Sequence, residues 1–219
     1  MRVLVTPDYR NLSQTAAALV VKAVQAKPDL TLGLPTGATP IGMYEELVRS
    51  FRGGQCDFAL VHTFNLDEFA GLSADHPGSY REYMRVHLFE HVNIRKDHVH
   101  FPDATGDYEE EIRNAGGIDL LILGIGMNGH IAFNEPGSSF QSRTREVVLM
   151  ERKQRAFTMG IATILEARRI VLLASGAAKA GVVHRALHGP VSELMPASIL
   201  QTHPNVIAIL DEDAAGHPL

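Results

Sequence analysis

The run Gly126-Met127-Asn128-Gly129-His130-Ile131-Ala132-Phe133-Asn134-Glu135-Pro136 puts an imidazole two residues from an amide and five from a carboxylate. Imidazole is the side chain whose unperturbed pKa lies nearest neutrality, which suits His130 to carry a proton between two oxygens of a bound molecule. Asn128 and Glu135 can orient it through either ring nitrogen, as an acid fixes the histidine tautomer in a hydrolytic triad. Gly126 and Gly129 allow the tight backbone approach that such a loop needs. The competing reading is a structural histidine, hydrogen-bonded in a turn.

Three other segments carry complementary chemistry. In Thr63-Phe64-Asn65-Leu66-Asp67-Glu68-Phe69 two acids follow an apolar run, and a partly desolvated carboxylate there can remove a proton next to a carbonyl. Successive strand side chains point to opposite faces, so only one of the two acids easily faces a given pocket. Surface acids are the alternative. In Leu34-Pro35-Thr36-Gly37-Ala38-Thr39-Pro40-Ile41 a strand gives way to hydroxyls and a glycine, with Pro40 at the first helical position. Free N–H groups, the helix dipole and the two hydroxyls across Thr36, Gly37, Ala38 and Thr39 suit a phosphate. A capped helix without ligand fits that spacing equally well, because neither a Walker lysine nor G-x-G-x-x-G is present. Lys179, in the turn Ser175-Gly176-Ala177-Ala178-Lys179, can add a cation if it is not simply a solvated surface lysine. His98 with His100, and His184 with His188, have pairwise spacing for zinc, but neither pair has an evident third ligand, so no metal is expected.

Short apolar runs rich in Val, Leu and Ile alternate with segments of helical period. They predict strands near 2–6, 30–34, 58–64, 118–125, 168–174 and 205–210, a short one near 98–101 and another at 146–150. Helices are predicted at 11–26, 40–51, 78–91, 107–115, 160–167 and 176–188. The pattern is α/β: a single domain over residues 1–219, with a mostly parallel, Rossmann-like sheet flanked by helices. Thr36, Asp67 and His130 each follow a strand's carboxyl end, so they are expected to meet in one crevice. The tail from Asp211 to His217 reads as solvated.

With 219 residues, 45% of them hydrophobic, the chain can build its own core. A formal charge of −5 without a long basic run argues against nucleic acid and for a small-molecule partner. Cys56 is the single cysteine, and the chain opens with the strand-like Arg2-Val3-Leu4-Val5-Thr6, which points to the cytoplasm. The longest apolar stretches, about eight residues, fall short of the ~20 that span a bilayer, so no membrane role is expected. The oligomeric expectation is a monomer or a small homo-oligomer.

Phe64-Asn65-Leu66-Asp67-Glu68, Gly129-His130-Ile131-Ala132-Phe133-Asn134-Glu135-Pro136 and Ser142-Arg143-Thr144-Arg145, in this order, resemble three signatures of the glucosamine-6-phosphate deaminase family. The resemblance runs from about Val3 to Asp211. It implies the sugar-phosphate isomerase type of fold, and an aldose–ketose isomerisation with deamination that converts glucosamine 6-phosphate to fructose 6-phosphate and ammonia in amino-sugar catabolism. It implies no metal or organic cofactor. By matching position, Asp67 would move the C2 proton to C1, and His130 with Asn128 and Glu135 would serve ring opening. Thr36 to Thr39 and Lys179 would hold the phosphate. The 6-phosphogluconolactonases have a similar loop, but theirs continues into Thr-Ala-Ser, and their earlier acid pair is followed by Arg; here Ile131-Ala132-Phe133 and Phe69 stand instead. A lactone hydrolase of that kind, or a non-catalytic sugar-phosphate-binding regulator, remains the alternative.

The chain departs from the family's pattern in three places. Asn128 stands where the hexameric enzymes have Asp, and a neutral orienter stabilises an imidazolium less than a carboxylate does. Only 14 residues separate Arg145 from Gly160, where the family usually carries a longer mobile lid with a phosphate-gripping arginine. Arg152, Lys153 and Arg155 are the cations nearest that gap. Val147 and Val148 replace polar residues that bind an activator's phosphate in regulated members, which implies no allosteric activation.

Overall fold

In the computed structural model, which describes residues 1–149 and 153–216, the strands are β1 (Arg2–Thr6), β2 (Thr31–Leu34), β3 (His62–Asn65), β4 (Asp67–Phe69), β5 (Val99–His100), β6 (Leu120–Gly124), β7 (Arg145–Leu149), β8 (Gln154–Thr158), β9 (Ile170–Ala174) and β10 (Val206–Asp211). The helices are α1 (Tyr9–Ala26), α2 (Ile41–Arg52), α3 (Tyr80–His87), α4 (Tyr108–Asn114), α5 (Ile161–Leu165), α6 (Ala180–His188) and α7 (Glu212–Ala215). Seven strands form a parallel sheet in the order β1-β10-β9-β6-β2-β3-β5. A strand covered by helices on both sides must be apolar on both, and Leu121, Ile122 and Leu123 of β6 are all fully buried. Leu121 and Leu123 join one core, Ile122 the other. Full burial of one such side chain contributes roughly 1.5–3 kcal/mol.

The order of the strands fixes where a ligand can sit. From β2 the chain proceeds outward through β3 to β5, whereas from β6 it proceeds the other way through β9 to β10. β2 and β6 are neighbours, paired at Leu32 with Leu120 and Gly33 with Leu121. The loops leaving their carboxyl ends therefore diverge and open a crevice between them. Gly33 leaves room for the Leu121 side chain at this junction, because a Cβ on it would lie 1.9 Å from Leu121 Cδ1.

A second, antiparallel sheet, β4-β8-β7, stands over that crevice. The sequence pattern marks β7 but neither β4 nor β8: three residues are too few for a periodic signal, and Gln154-Arg155 opens β8 with polar residues. The short segment after Arg145 thus forms the arms of a hairpin docked on the Asp67 strand.

Other boundaries differ from expectation for local reasons. Residues 58–61 are not strand: Asp57 accepts from the Ala59 N–H at 2.8 Å and Val61 N–H bonds Phe58 O, which bends the chain so that Phe58 and Val61 are buried and Leu60 is exposed. The predicted helix 78–91 ends at His87, after starting at the Ser79 cap, and Phe89–His91 is a 3-10 turn. Residues 177–179 form a 3-10 turn before α6. Pro40 is the N-cap of α2 rather than its first helical residue. The tail is not uniformly solvated: Asp211 is buried and caps α7, and Ala214 is fully buried, while His217 lies outside the described residues. No helix among the described residues is long and apolar enough to cross a membrane.

Candidate active site

A cleft of about 730 Å³ lies over the β2–β6 junction. Thr36, Gly37, Ala38, Thr39, Asp67, His130, Glu135 and Lys179 all line it, so the segments expected to meet do so. Asn128, which is not among the lining residues, touches His130 from behind.

Asp67 opens β4, opposite Thr158 of β8, and is only 6% exposed. Burial first, and the neighbouring Glu68 charge second, push its carboxyl up to about 8. Its Oδ1 meets no hydrogen-bond partner among the described residues. A buried acid that lines a cleft, with one oxygen unpartnered among the described residues and its pKa raised to about 8, is suited to take a proton from a bound molecule. The strand pleat sends Glu68 the other way. Its carboxylate accepts from the N–H groups of Phe69 (2.7 Å), Tyr80 (2.9 Å) and Arg81 (2.8 Å), closing the start of α3. Glu68 is therefore a cap.

His130 Nδ1 lies 2.9 Å from Asn128 Oδ1 and 3.2 Å from Glu135 Oε1, and Asn128 donates its amide N–H to Glu135 Oε2. That closed triangle puts the Asn128 oxygen toward the ring and makes Nδ1 the donor. The loop is tight enough that a Cβ on Gly126 would stand 2.2–2.4 Å from three ring atoms of His130. Gly129 has φ +92°, and Met195 Sδ fills the space its side chain would take. Beneath the loop, fully buried Asn134 donates to Ile131 O and Met159 O and accepts from Arg145 at 2.8 Å. Arg145 thus supports the loop from the hairpin.

At the β2–α2 turn Gly37 has φ +103°, a conformation that favours glycine. α2 has no side-chain cap, and no described residue accepts from the backbone N–H of Gly37, Ala38 or Thr39. These donors, at the positive end of a helix, suit an anion. Across the cleft Lys179 Nζ donates to Ile125 O at 2.6 Å, and burial holds its pKa below the ordinary lysine value. Among the described residues it has no carboxylate partner. Buried Asp211 fixes the turn that carries Lys179 by accepting from Ser175 Oγ and from Gly176 N–H at 3.0 Å.

The cleft has an aromatic wall and a hairpin rim, to which the sequence pattern assigns no binding role. Tyr80 and Phe133 stack at 5.8 Å, Phe69 packs on both, and Val148 with Leu149 brings the hairpin to the rim. Tyr80's one signal was its place directly after the capping Ser79. Of the cations near the gap, Arg155 pairs with Glu146 across the hairpin, and neither it nor Lys153 lines the cleft; Arg152 lies outside the described residues. His98 stacks on His62 at 3.8 Å and His100 on Phe64 at 4.4 Å. No described group of three or more His, Cys, Asp or Glu could hold a metal.

A parallel α/β sheet with a buried acid, an oriented histidine and an N–H-rich turn at its switch point defines an enzyme that moves protons on a small anionic molecule. Within that class the chain belongs to the glucosamine-6-phosphate isomerases/6-phosphogluconolactonase family, which its residues 8–208 match. It is 46% identical to glucosamine-6-phosphate deaminase 2 of Bacillus subtilis, with 98% of this chain and 96% of that one covered, and 48% identical to a glucosamine-6-phosphate deaminase of Halothermothrix orenii at 98% and 99% coverage. These alignments run over 240 and 238 positions, more than the 219 residues here, so the relatives carry segments that this chain lacks. A solved monomeric glucosamine-6-phosphate deaminase superposes with a TM-score of 0.94 at 41% identity, covering 98% of this chain and 99% of that one. A 6-phosphogluconolactonase from Leishmania guyanensis shares the fold, with a TM-score of 0.81 at 22% identity over 100% and 98% of the two chains.

Proposed function

We propose that this chain is a glucosamine-6-phosphate deaminase, converting the amino-sugar phosphate to fructose 6-phosphate and ammonia in amino-sugar catabolism. The observation that carries the reading is that buried Asp67, with its pKa near 8 and an Oδ1 unpartnered among the described residues, lines the same cleft as His130 and Lys179. Lactone hydrolysis removes no proton from carbon, and where the 6-phosphogluconolactonases' acid pair is followed by Arg, Phe69 stands here.

The 6-phosphate sits on the amides of the Thr36–Thr39 turn and beside Lys179. His130, its Nδ1 proton held by Asn128 and Glu135, takes the O1 hydroxyl proton on Nε2 and returns one to the ring oxygen, which opens the sugar to its aldehyde. The aldehyde acidifies C2–H. Asp67 removes that proton while O1 takes one from the substrate ammonium, giving an enolamine; the proton on Asp67 exchanges with solvent, and Asp67 then delivers a proton to C1, leaving an iminium at C2. Water adds to the iminium carbon, and the resulting carbinolamine expels ammonia to leave the ketone. Each step is a proton transfer or a hydration, so the mechanism draws on no cofactor.

All of these residues come from one chain, so an isolated protomer has a complete site, and a cytosolic setting suits the substrate. The deciding assay incubates the protein separately with glucosamine 6-phosphate and with 6-phosphogluconolactone. Ammonia and fructose 6-phosphate from the first, with no accelerated hydrolysis of the second, are expected. Lactone hydrolysis alone would make it a hydrolase, and phosphate-dependent binding without turnover a regulator.

A further inference from the structure

Three phenols reach the phosphate turn, and none of them lines the cleft. Tyr44 Oη donates to Pro35 O at 2.5 Å, Tyr83 Oη to Gly37 O at 2.6 Å, and Tyr9 Oη to Thr39 O at 3.0 Å and Ala38 O at 3.2 Å. They come from three different helices, α2, α3 and α1. Tyr9 Oη also accepts from the Gly42 N–H at 2.9 Å, and its close seat depends on that glycine, whose Cβ would lie 3.1 Å from the phenol oxygen and 2.4 Å from Ser13 Oγ.

In a trans peptide the C=O and the following N–H lie in one plane and point in opposite directions. A carbonyl held away from the cleft therefore turns the next amide toward it: the Tyr83 bond to Gly37 O aims the N–H of Ala38, and the Tyr9 bond to Ala38 O aims that of Thr39. Besides the phenols, the Ile41 N–H bonds Ala38 O at a long 3.4 Å, and no other described group bonds Gly37 O. Gly37 has no atom within 4 Å of where a Cβ would be, and the helix start has no side-chain cap. Rotation of either plane would present a carbonyl oxygen to the anion in place of a donor.

We propose that Tyr9 and Tyr83 are positioning residues for phosphate affinity, acting on the substrate only through the backbone planes of the Thr36–Thr39 turn. The proposal rests on the phosphate reading of that turn. Tyr83 has a further part: the first amides of α3 are capped by Glu68, the residue next to Asp67. The strand bearing the proposed base and the phosphate turn are thereby tied through one short helix. Tyr44 is fully buried, so its hydroxyl cannot be removed without also leaving a buried carbonyl unpaired, and it is a poor probe.

Tyr9→Phe, Tyr83→Phe and the double variant of the full chain test this, with inorganic phosphate titrated calorimetrically and glucosamine 6-phosphate used for kinetics. Each single change should raise the phosphate Kd and the substrate KM about three- to tenfold, the fold-change of one ordinary hydrogen bond, and the double variant should raise both further. The kcat should stay within about twofold, because the chemistry at C1 and C2 is untouched. Tyr108→Phe is the comparison: its phenol bonds Asn65 O at 2.5 Å, so its loss should lower the melting temperature and leave the phosphate Kd unchanged. An unchanged phosphate Kd in the double variant, a kcat that falls by as much as KM rises, or an equal rise in Kd for Tyr108→Phe would overturn the assignment. Wild-type protein that binds no phosphate at all would instead sink the reading of the turn.

Discussion

Asn128 Oδ1 accepts from His130 Nδ1 at 2.9 Å while the amide end of the same side chain donates to Glu135. A neutral amide thus sits between the imidazole and a carboxylate that is itself only 3.2 Å from the ring. Asn128→Asp would place a second negative charge against Nδ1 and favour the imidazolium. His130 should then remain protonated to higher pH in an NMR titration, and kcat at pH 7 should change by less than about tenfold because the geometry is kept. An unmoved titration would mean that Asn128 does not face the ring in solution.

Asp67 links activity and stability through one pKa. Its carboxyl is raised in the folded chain from 3.8 to about 8, so its favourable effect on folding is complete below about pH 4 and is lost as pH rises through about 8. The ligand-free melting temperature should fall across that window more steeply than that of Asp67→Asn, and the variant should be the more stable at pH 8 by at least about 1 kcal/mol. The wild-type kcat/KM should rise over the same window, because the base must be ionised to act. Parallel stability curves for the two proteins would place the Asp67 pKa near its ordinary value.

Gly126 is required by the His130 ring, not by its own backbone angle. Gly126→Ala is compatible with the backbone but puts a methyl group inside the imidazole. The ring must move, and kcat should drop at least about 10²-fold while the fold, followed by circular dichroism, persists. Activity within tenfold of wild type would show that His130 tolerates displacement.

Lys179 and Arg155 are both cations near the site, yet Arg155 is 68% exposed and committed to Glu146, whereas Lys179 lines the cleft without a carboxylate partner. A charge-assisted bond to phosphate contributes roughly 1.5–3 kcal/mol, so Lys179→Ala should raise KM by about one to two orders of magnitude and Arg155→Ala by less than about twofold. Arg152→Ala belongs in the same comparison. With the longer relatives' segment missing, KM should also exceed theirs. A change at Arg152 or Arg155 as damaging as Lys179→Ala would mean that the hairpin carries a phosphate clamp.

The sequence made the parallel sheet and the convergence of Thr36, Asp67 and His130 readable because both follow from short apolar runs and from what stands at their carboxyl ends. It also set Asp67 and Glu68 on opposite faces, since the pleat has period two. What it left out depends on partners remote in the chain. The three residues of β4 become a strand only because β8 lies beside them, and Tyr9, Tyr83 and the turn they hold are separated by about thirty to forty-six positions. Asp211 looked like part of a polar tail, but burial against Ser175 and Gly176 gives it a structural position that local composition does not encode.

The most direct test of the account is turnover of glucosamine 6-phosphate in deuterium oxide by wild type and Asp67→Asn, with deuterium at C1 of fructose 6-phosphate read by NMR. The account predicts solvent deuterium at C1 for the wild type. For Asp67→Asn it predicts a kcat lower by at least about 10²-fold, no exchange into recovered substrate, and a phosphate Kd within about threefold of wild type. A variant that kept more than about a tenth of the kcat, a barrier change under ~1.4 kcal/mol, with deuterium still entering C1, would contradict the assignment of Asp67 as the base.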